Sequence, residues 1–284
     1  MTAFRFLGIV GDPIAHSLSP AMHNAVLRRS GFRFFYLPFH VTPDRLKGFV
    51  RDVPLLPLAG FNVTIPHKEA VLKHLSWVSP EAKAIGAVNT VVVSGRRLKG
   101  YNTDAPGYLR SLVQEAGFRP RGKSVLVLGA GGSARAVIYA LAAAGAKIIL
   151  IANRTLPRAR ALAREFSKKF RRVAFSAIPL ETKVLASRFP ATDLLVNTTS
   201  VGLDGTAFPR LPLANLKKTA VVSDLVYKPP KTPLLKAAAR RGLTIHTGDG
   251  MLLHQGALAY RLWTGRKPDL KVMKKALLDA MKRR

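Results

Sequence analysis

The chain has 284 residues, 48% of them hydrophobic, with 46 lysines and arginines against 15 acidic residues and no cysteine. A chain of this length buries roughly three-quarters of its unfolded surface, in one or two domains. The missing cysteine excludes disulfides, thiolate nucleophiles and cysteine-bound metal, and no apolar run reaches the ~18 residues of a membrane span. A cytosolic (cytoplasmic) globular protein is the expectation.

The net charge of +31 is not gathered into a tail or arm. In RTLPRARALAREFSKKFRR, Leu162, Phe166 and Phe170 recur at helical spacing, and Arg160, Arg164 and Lys168 form the opposite face. The C-terminal segment KPDLKVMKKALLDAMKRR follows the same logic. Most of the basic residues therefore read as solvated faces, whose field draws in small anions, and the pattern speaks against nucleic acid as a partner.

Along the chain, strand-like runs (FRFLGIV, FRFFYLPFHV, GFNVT, AVNTVVV) alternate with helical ones such as SPAMHNAVLRRSG, which has Ser19 as N-cap, Pro20 at the first helical position and Gly31 as a stop. From about residue 123 the alternation is cleaner: SVLVLG, a helix, KIILIAN, a helix, RVAF, then DLLVNTT and TAVVSDLVY. Continuous apolar strands separated by helices predict a parallel sheet covered on both faces. The expected organisation is a first domain over 1–104, a second over 105–247, and helices over 248–284 that return to the first.

Several polar clusters in the first 104 residues break local rules. HSLSP sets Ser17 and Ser19 just before a helix, where two hydroxyls beside helix N–H groups suit a carboxylate. In GFNVTIPHK, Asn62 and Thr64 share one strand face, and Pro66 ends the strand and aims Lys68. Asn89 lies in the otherwise apolar run IGAVNTVVV and needs polar partners. YNTD supplies Asn102 and Asp104 beside the expected domain boundary.

VLVLGAGGSARA places Gly129, Ala130, Gly131, Gly132, Ser133 and Ala134 directly after a strand and at the opening of a helix, in the spacing G-x-G-x-x-A of a dinucleotide loop. The next strand ends in Asn153, Arg154 and Thr155, with Arg158 a turn later. A dehydrogenase that uses NAD carries a carboxylate there. A guanidinium instead pairs with a 2′-phosphate, so the cofactor expected is NADP. The seven histidines show no close ligand spacing, and no metal is expected.

Taken in order, GDPIAHSLSPAMHN, FNVTIPHK, IGAVNT, GYNTD, GAGGSARA, NRT, NTTSVG, DLVYKPPKTPLL and GMLLHQGALAYRLWTG resemble the shikimate dehydrogenase family from end to end. The resemblance implies an α/β protein: an N-terminal α/β substrate domain plus a Rossmann-type, doubly wound parallel-sheet NADP domain, with a cleft between them. It implies NADP-dependent interconversion of 3-dehydroshikimate and shikimate in aromatic amino-acid biosynthesis. By matching positions, Ser17 and Ser19 bind the substrate carboxylate, and Asn62, Thr64, Asn89 and Gln255 its hydroxyls. Lys68 and Asp104 are the catalytic pair, Tyr227 lies near substrate and nicotinamide, and Gly248 and Met251 contact the nicotinamide. Which of the pair moves the proton is open from sequence, with Lys68 favoured. Ala105 and Pro106 depart from the family, which usually continues with glycine after NTD. The alternative is a quinate/shikimate dehydrogenase with broader substrate or NAD use. A third reading, from another class, is a non-catalytic nucleic-acid-binding relative. Oligomeric state is left open, a homodimer included.

Overall fold

The computed structural model describes residues 5–209 and 211–282. The last two residues, which end the basic C-terminal segment read above, lie outside them, as do the first four and Arg210. The chain divides into two compact units, one formed by the residues up to Gly107 together with Leu252 onward, the other by Tyr108–Met251.

The first unit runs β1 (Arg5–Gly11), α1 (Ser19–Leu27), β2 (Phe34–His40), α2 (Leu46–Asp52), β3 (Leu58–Val63), β4 (Trp77–Val78), α3 (Pro80–Ile85), β5 (Thr90–Ser94), β6 (Arg97–Tyr101) and the opening of α4 (Asp104–Ala116). Its six strands are ordered β2-β1-β3-β5-β6-β4. β1 pairs in parallel with β2 and β3, whereas β5 runs antiparallel to β3 and β6. Every residue of β3 is buried, so the polar Asn62 it carries sits among Phe61, Val63 and Val91 rather than in water. The β5–β6 hairpin, closed at Gly95, was not legible as two strands, because RLKGY is short and polar.

The second unit contains the rest of α4, then β7 (Ser124–Leu128), α5 (Gly132–Ala143), β8 (Ile148–Asn153), α6 (Leu156–Lys169), β9 (Ala174–Pro179), α7 (Thr182–Arg188), β10 (Leu194–Asn197), β11 (Val221–Asp224), α8 (Pro233–Arg240), β12 (Thr244–His246) and the first residues of α9 (Gly248–Thr264). Its sheet is ordered β12-β11-β10-β7-β8-β9 with every pairing parallel. Successive residues of one strand enter different cores. Val125 and Val127 pack with Ile149, Ile151 and Phe166, whereas Leu126 and Leu128 pack with Leu195, Val222 and Leu235. Burial on both faces is why these strands read as unbroken apolar runs. The strand order reverses between β7 and β10, the place where such sheets bind ligands. β12 was not anticipated.

α10 (Leu270–Lys282) closes the described chain and buries Met273, Leu277 and Met281, four apart along one face. α6 buries Leu162 and Phe166 and leaves Arg160, Arg164 and Lys168 exposed. No helix among the described residues is long and apolar enough to cross a membrane.

Candidate active site

In the first unit, Lys68 and Asp104 meet: Nζ donates to Oδ2 at 2.7 Å, with side chains only 11% and 5% exposed. An ion pair so far from water persists only if its remaining polar atoms are satisfied. Asn89 meets that requirement on one side, because its Nδ2 donates to Asp104 Oδ1 at 2.8 Å and to Thr103 Oγ1 at 2.9 Å. The amide cannot turn over, since its Oδ1 accepts the Thr103 N–H at 2.7 Å. Asn89 lies just before β5, and its backbone joins both neighbours: its N–H reaches the Tyr101 carbonyl, and its carbonyl accepts from the Val63 N–H.

Lys68 is delivered by a turn after β3 rather than by a helix. His67, 1% exposed, donates from Nε2 to the Val41 carbonyl at 2.6 Å, while the Lys68 carbonyl accepts from the Val88 N–H at 2.8 Å. The backbone on either side of the lysine's Cα is thus pinned. Asp104 opens α4, with Asn102 Oδ1 accepting from the Ala105 N–H at 3.1 Å. Ala105 and Pro106 are accommodated in the first helical turn. Gly107 is required one step later, because a Cβ there would lie 2.7 Å from the backbone nitrogen of Gln255. That approach lets Gln255 Oε1 stand 3.4 Å from Asn89 Nδ2.

The other expected substrate groups, Tyr227 apart, belong to the same unit. Asn62 bonds Tyr36, Asn89 and Thr90. Thr64 falls one residue beyond β3 instead of within it. At α1 the N-cap is Leu18, not Ser19, and Ser19 is the first helical residue. The physical reason is that Ser17 Oγ accepts the Ser19 N–H at 3.3 Å, taking the role assigned to the later serine. Thr90, Thr103, Tyr36 and His67 were not singled out for the site. Thr90 and Thr103 stand beside Asn89 and Asn102 in NT pairs, which was the available signal.

In the second unit, Gly129 follows β7 with φ of +111°, and a Cβ there would lie 2.6 Å from Thr198 Oγ1 at the end of β10. Only glycine fits this turn at the switch point. Gly131 is the N-cap of α5 and makes no side-chain cap hydrogen bond, which suits the first N–H groups and the positive end of the dipole to an anion. Ala130, Gly132 and Ser133 are partly exposed along this turn, and Ala134 is buried against the sheet. β8 ends at Asn153, whose Nδ2 donates to the Thr155 carbonyl, and Arg154, Thr155 and Arg158 are exposed at the start of α6. The residues fit a dinucleotide carrying an additional phosphate.

At the end of β11, Asp224 anchors the segment that bears Tyr227. It accepts from Asn197 Nδ2 at 2.8 Å, Thr232 Oγ1 at 2.7 Å and the Val226 N–H at 3.0 Å. Burial pushes its carboxyl up to about 6, against the opposing effect of those bonds. Gly248 is the first residue of α9. Met251 is buried with Tyr108, Leu112 and Val221 in the core of this unit. No group of three or more His, Asp or Glu that could hold a metal occurs among the described residues.

The chain matches three family profiles: "Shikimate dehydrogenase substrate binding domain" over residues 9–91, "Shikimate / quinate 5-dehydrogenase" over 111–201, and "Shikimate 5'-dehydrogenase C-terminal domain" over 248–278. It is 46% identical over 279 residues to a protein of Geobacter metallireducens named shikimate dehydrogenase (NADP(+)), covering 98% of each chain. Among solved structures it resembles the Thermus thermophilus shikimate 5-dehydrogenase in complex with NADP(H) and shikimate, with 43% identity, a TM-score of 0.85, and 98% of this chain and 100% of that one covered. It also resembles the Corynebacterium glutamicum quinate dehydrogenase in complex with NAD, at 33% identity and a TM-score of 0.88, covering 97% and 99% of the two chains.

Proposed function

The chain belongs to the shikimate dehydrogenase family, and on that premise we propose that the buried Lys68–Asp104 pair is its catalytic centre. The reaction is the reversible, NADP-dependent reduction of 3-dehydroshikimate to shikimate, a step of aromatic biosynthesis. NADP, when bound, supplies or accepts the hydride. Oxidation of a secondary alcohol also needs the hydroxyl proton removed, and reduction needs it returned. Lys68 performs that transfer. Asp104, held by Asn89 on one oxygen, fixes the ammonium on the other and orients the reacting hydroxyl. A cation held in a site that largely excludes water also stabilises negative charge growing on the substrate oxygen.

The assignment of the remaining groups follows the same division of labour. Residues 1–104 with the C-terminal helices hold the substrate. Ser17 and Ser19 meet the carboxylate, and Asn62, Thr64, Asn89 and Gln255 the hydroxyls. Residues 105–247 hold NADP, with the Gly129–Ala134 turn on the pyrophosphate and Asn153, Arg154, Thr155 and Arg158 on the adenosine phosphate. Tyr227 is assigned to the substrate beside the nicotinamide, and Gly248 and Met251 to the nicotinamide itself. The basic excess is solvated surface, as on the outer face of α6. The observation that carries the proposal is the 2.7 Å contact between two charges from separate elements, both nearly buried.

The test is a spectrophotometric assay of shikimate and of quinate, each with NADP⁺ and with NAD⁺. Turnover confined to shikimate with NADP⁺ is the expected result. Efficient quinate oxidation, or comparable catalytic efficiency with NAD⁺, would contradict it.

A further inference from the structure

The segment Met22–Asn24 of α1 is unexplained by the roles above, yet both His23 and Asn24 grip one residue. Tyr36, 1% exposed on the edge strand β2, has its N–H bonded to Asn24 Oδ1 at 2.8 Å and its carbonyl to Asn24 Nδ2 at 2.9 Å. The Asn24 amide thus stands where a further strand would pair with the sheet edge. On the side-chain side, the His23 ring stacks on the Tyr36 ring at 4.4 Å and 9°, and Trp263 tilts against both. His23 is fully buried, and neither ring nitrogen has a hydrogen-bond partner among the described residues. Leaving two polar atoms unsatisfied costs stability, so the ring is retained there for its flat face.

What this clamp holds is the phenol. Tyr36 Oη donates to Asn62 Oδ1 at 2.7 Å, and Asn62 Nδ2 donates to the Asn89 carbonyl at 3.1 Å and to Thr90 Oγ1 at 3.0 Å. A backbone carbonyl only accepts, so the nitrogen end of the Asn62 amide must face Asn89. Both amide hydrogens are then consumed inside the protein. Of the two Oδ1 lone pairs, Tyr36 takes one and the other is left.

We propose that Tyr36 is a positioning residue that acts through Asn62, and that the amide it sets presents substrate with an acceptor only, selecting a hydroxyl over an oxo group at that ring position. This rests on the reading of Asn62 as a substrate-binding residue of a shikimate dehydrogenase. Losing one such hydrogen bond lowers affinity by about 10-fold.

The experiment is a double-mutant cycle of Tyr36→Phe and Asn62→Ala, with KM for shikimate, KM for NADP⁺, kcat and thermal stability measured for each protein. Tyr36→Phe is expected to raise KM for shikimate about 10-fold, with kcat and KM for NADP⁺ within about two-fold of the parent. In the Asn62→Ala background the same change is expected to have no further effect on KM, because the group through which it acts is gone. An equal rise in KM with and without Asn62 would overturn the proposal, as would an unchanged KM or a parallel change in all three constants. If Tyr36→Phe does not fold, Asn24→Ala loosens the same clamp from the partly exposed side of α1 and is put through the same cycle, read by the same criteria. Loss of the family reading itself would look different: the parent protein would turn over no shikimate at all.

Discussion

Asn89 Nδ2 lies 2.8 Å from Oδ1 of Asp104, the carboxylate oxygen that Lys68 does not touch. One side chain therefore decides how a buried carboxylate shares itself between an amide and an ammonium. The contact also links two networks. Thr90 Oγ1 receives Asn62 Nδ2 and donates to Asn89 Oδ1, so the bonds run without a break from Tyr36 to Lys68. Buried hydrogen-bond networks of this kind are rigid, and their members are not independent.

Replacing Asn89 by alanine leaves Asp104 Oδ1 without its amide donor. A hydrogen bond to a charged group contributes about 1.5–3 kcal/mol, so kcat/KM for shikimate is expected to fall by roughly 10- to 100-fold. Steady-state kinetics at saturating NADP⁺ check this. A fall of less than two-fold would show that Asp104 does not depend on the amide.

Arg154 is exposed at the end of β8, where no carboxylate is present to repel a phosphate. Arg154→Ala is expected to raise KM for NADP⁺ by about 10-fold or more, on the scale of a charge-assisted bond. KM for shikimate, and any residual turnover with NAD⁺, should stay level. Equal losses with both cofactors would remove the 2′-phosphate from the account.

Stability should depend on pH through three buried groups. Burial lowers His23 from the ordinary 6.5 to about 3 and His246, between Ser111 and Ser223 and near Glu115 and Asp249, to about 4. The unfolded chain binds these protons first, so the contribution of both is present above pH 6.5 and is lost on acidification. Asp224 has the opposite sign: raised from 3.8 to about 6, it contributes fully below 3.8 and loses that contribution as pH rises through 6. Between pH 6 and 4 the two histidines outweigh the one carboxyl. Their net effect is a loss of about 1.4 kcal/mol per unit of acidification. Denaturant unfolding at pH 6 and pH 4 measures the slope. His23→Phe, which keeps a ring on Tyr36, should flatten it, and an unaltered slope would refute the assignment.

Much of this was legible in the chain. The G-x-G-x-x-A turn was readable because its chemistry is local: a strand, a turn only glycine can take, and a helix end. The parallel strands of the second unit were readable because burial on both faces makes them continuously apolar. The pairing of Lys68 with Asp104 could be expected from family resemblance but not from periodicity, since it depends on a turn pinned at Val41 and Val88. β12 and β6, the second arm of the hairpin, were missed because three- and five-residue strands with polar members carry no period. Serine before proline is the usual N-cap signal and points to Ser19, whereas Ser17 supplies the bond instead. Tyr36 was hidden for a different reason: its importance lies in what α1 does to β2, a relation between segments that no local pattern encodes.

We propose that an ammonium held by Asp104 moves the proton, and Lys68→Ala is the decisive variant. Measured at saturating shikimate and NADP⁺, kcat should drop by about 10²-fold or more, the scale of a positioned acid or base, while KM for shikimate changes far less. A variant that turns over at near the parent rate would contradict that role, because no other cation among the described residues is held against Asp104.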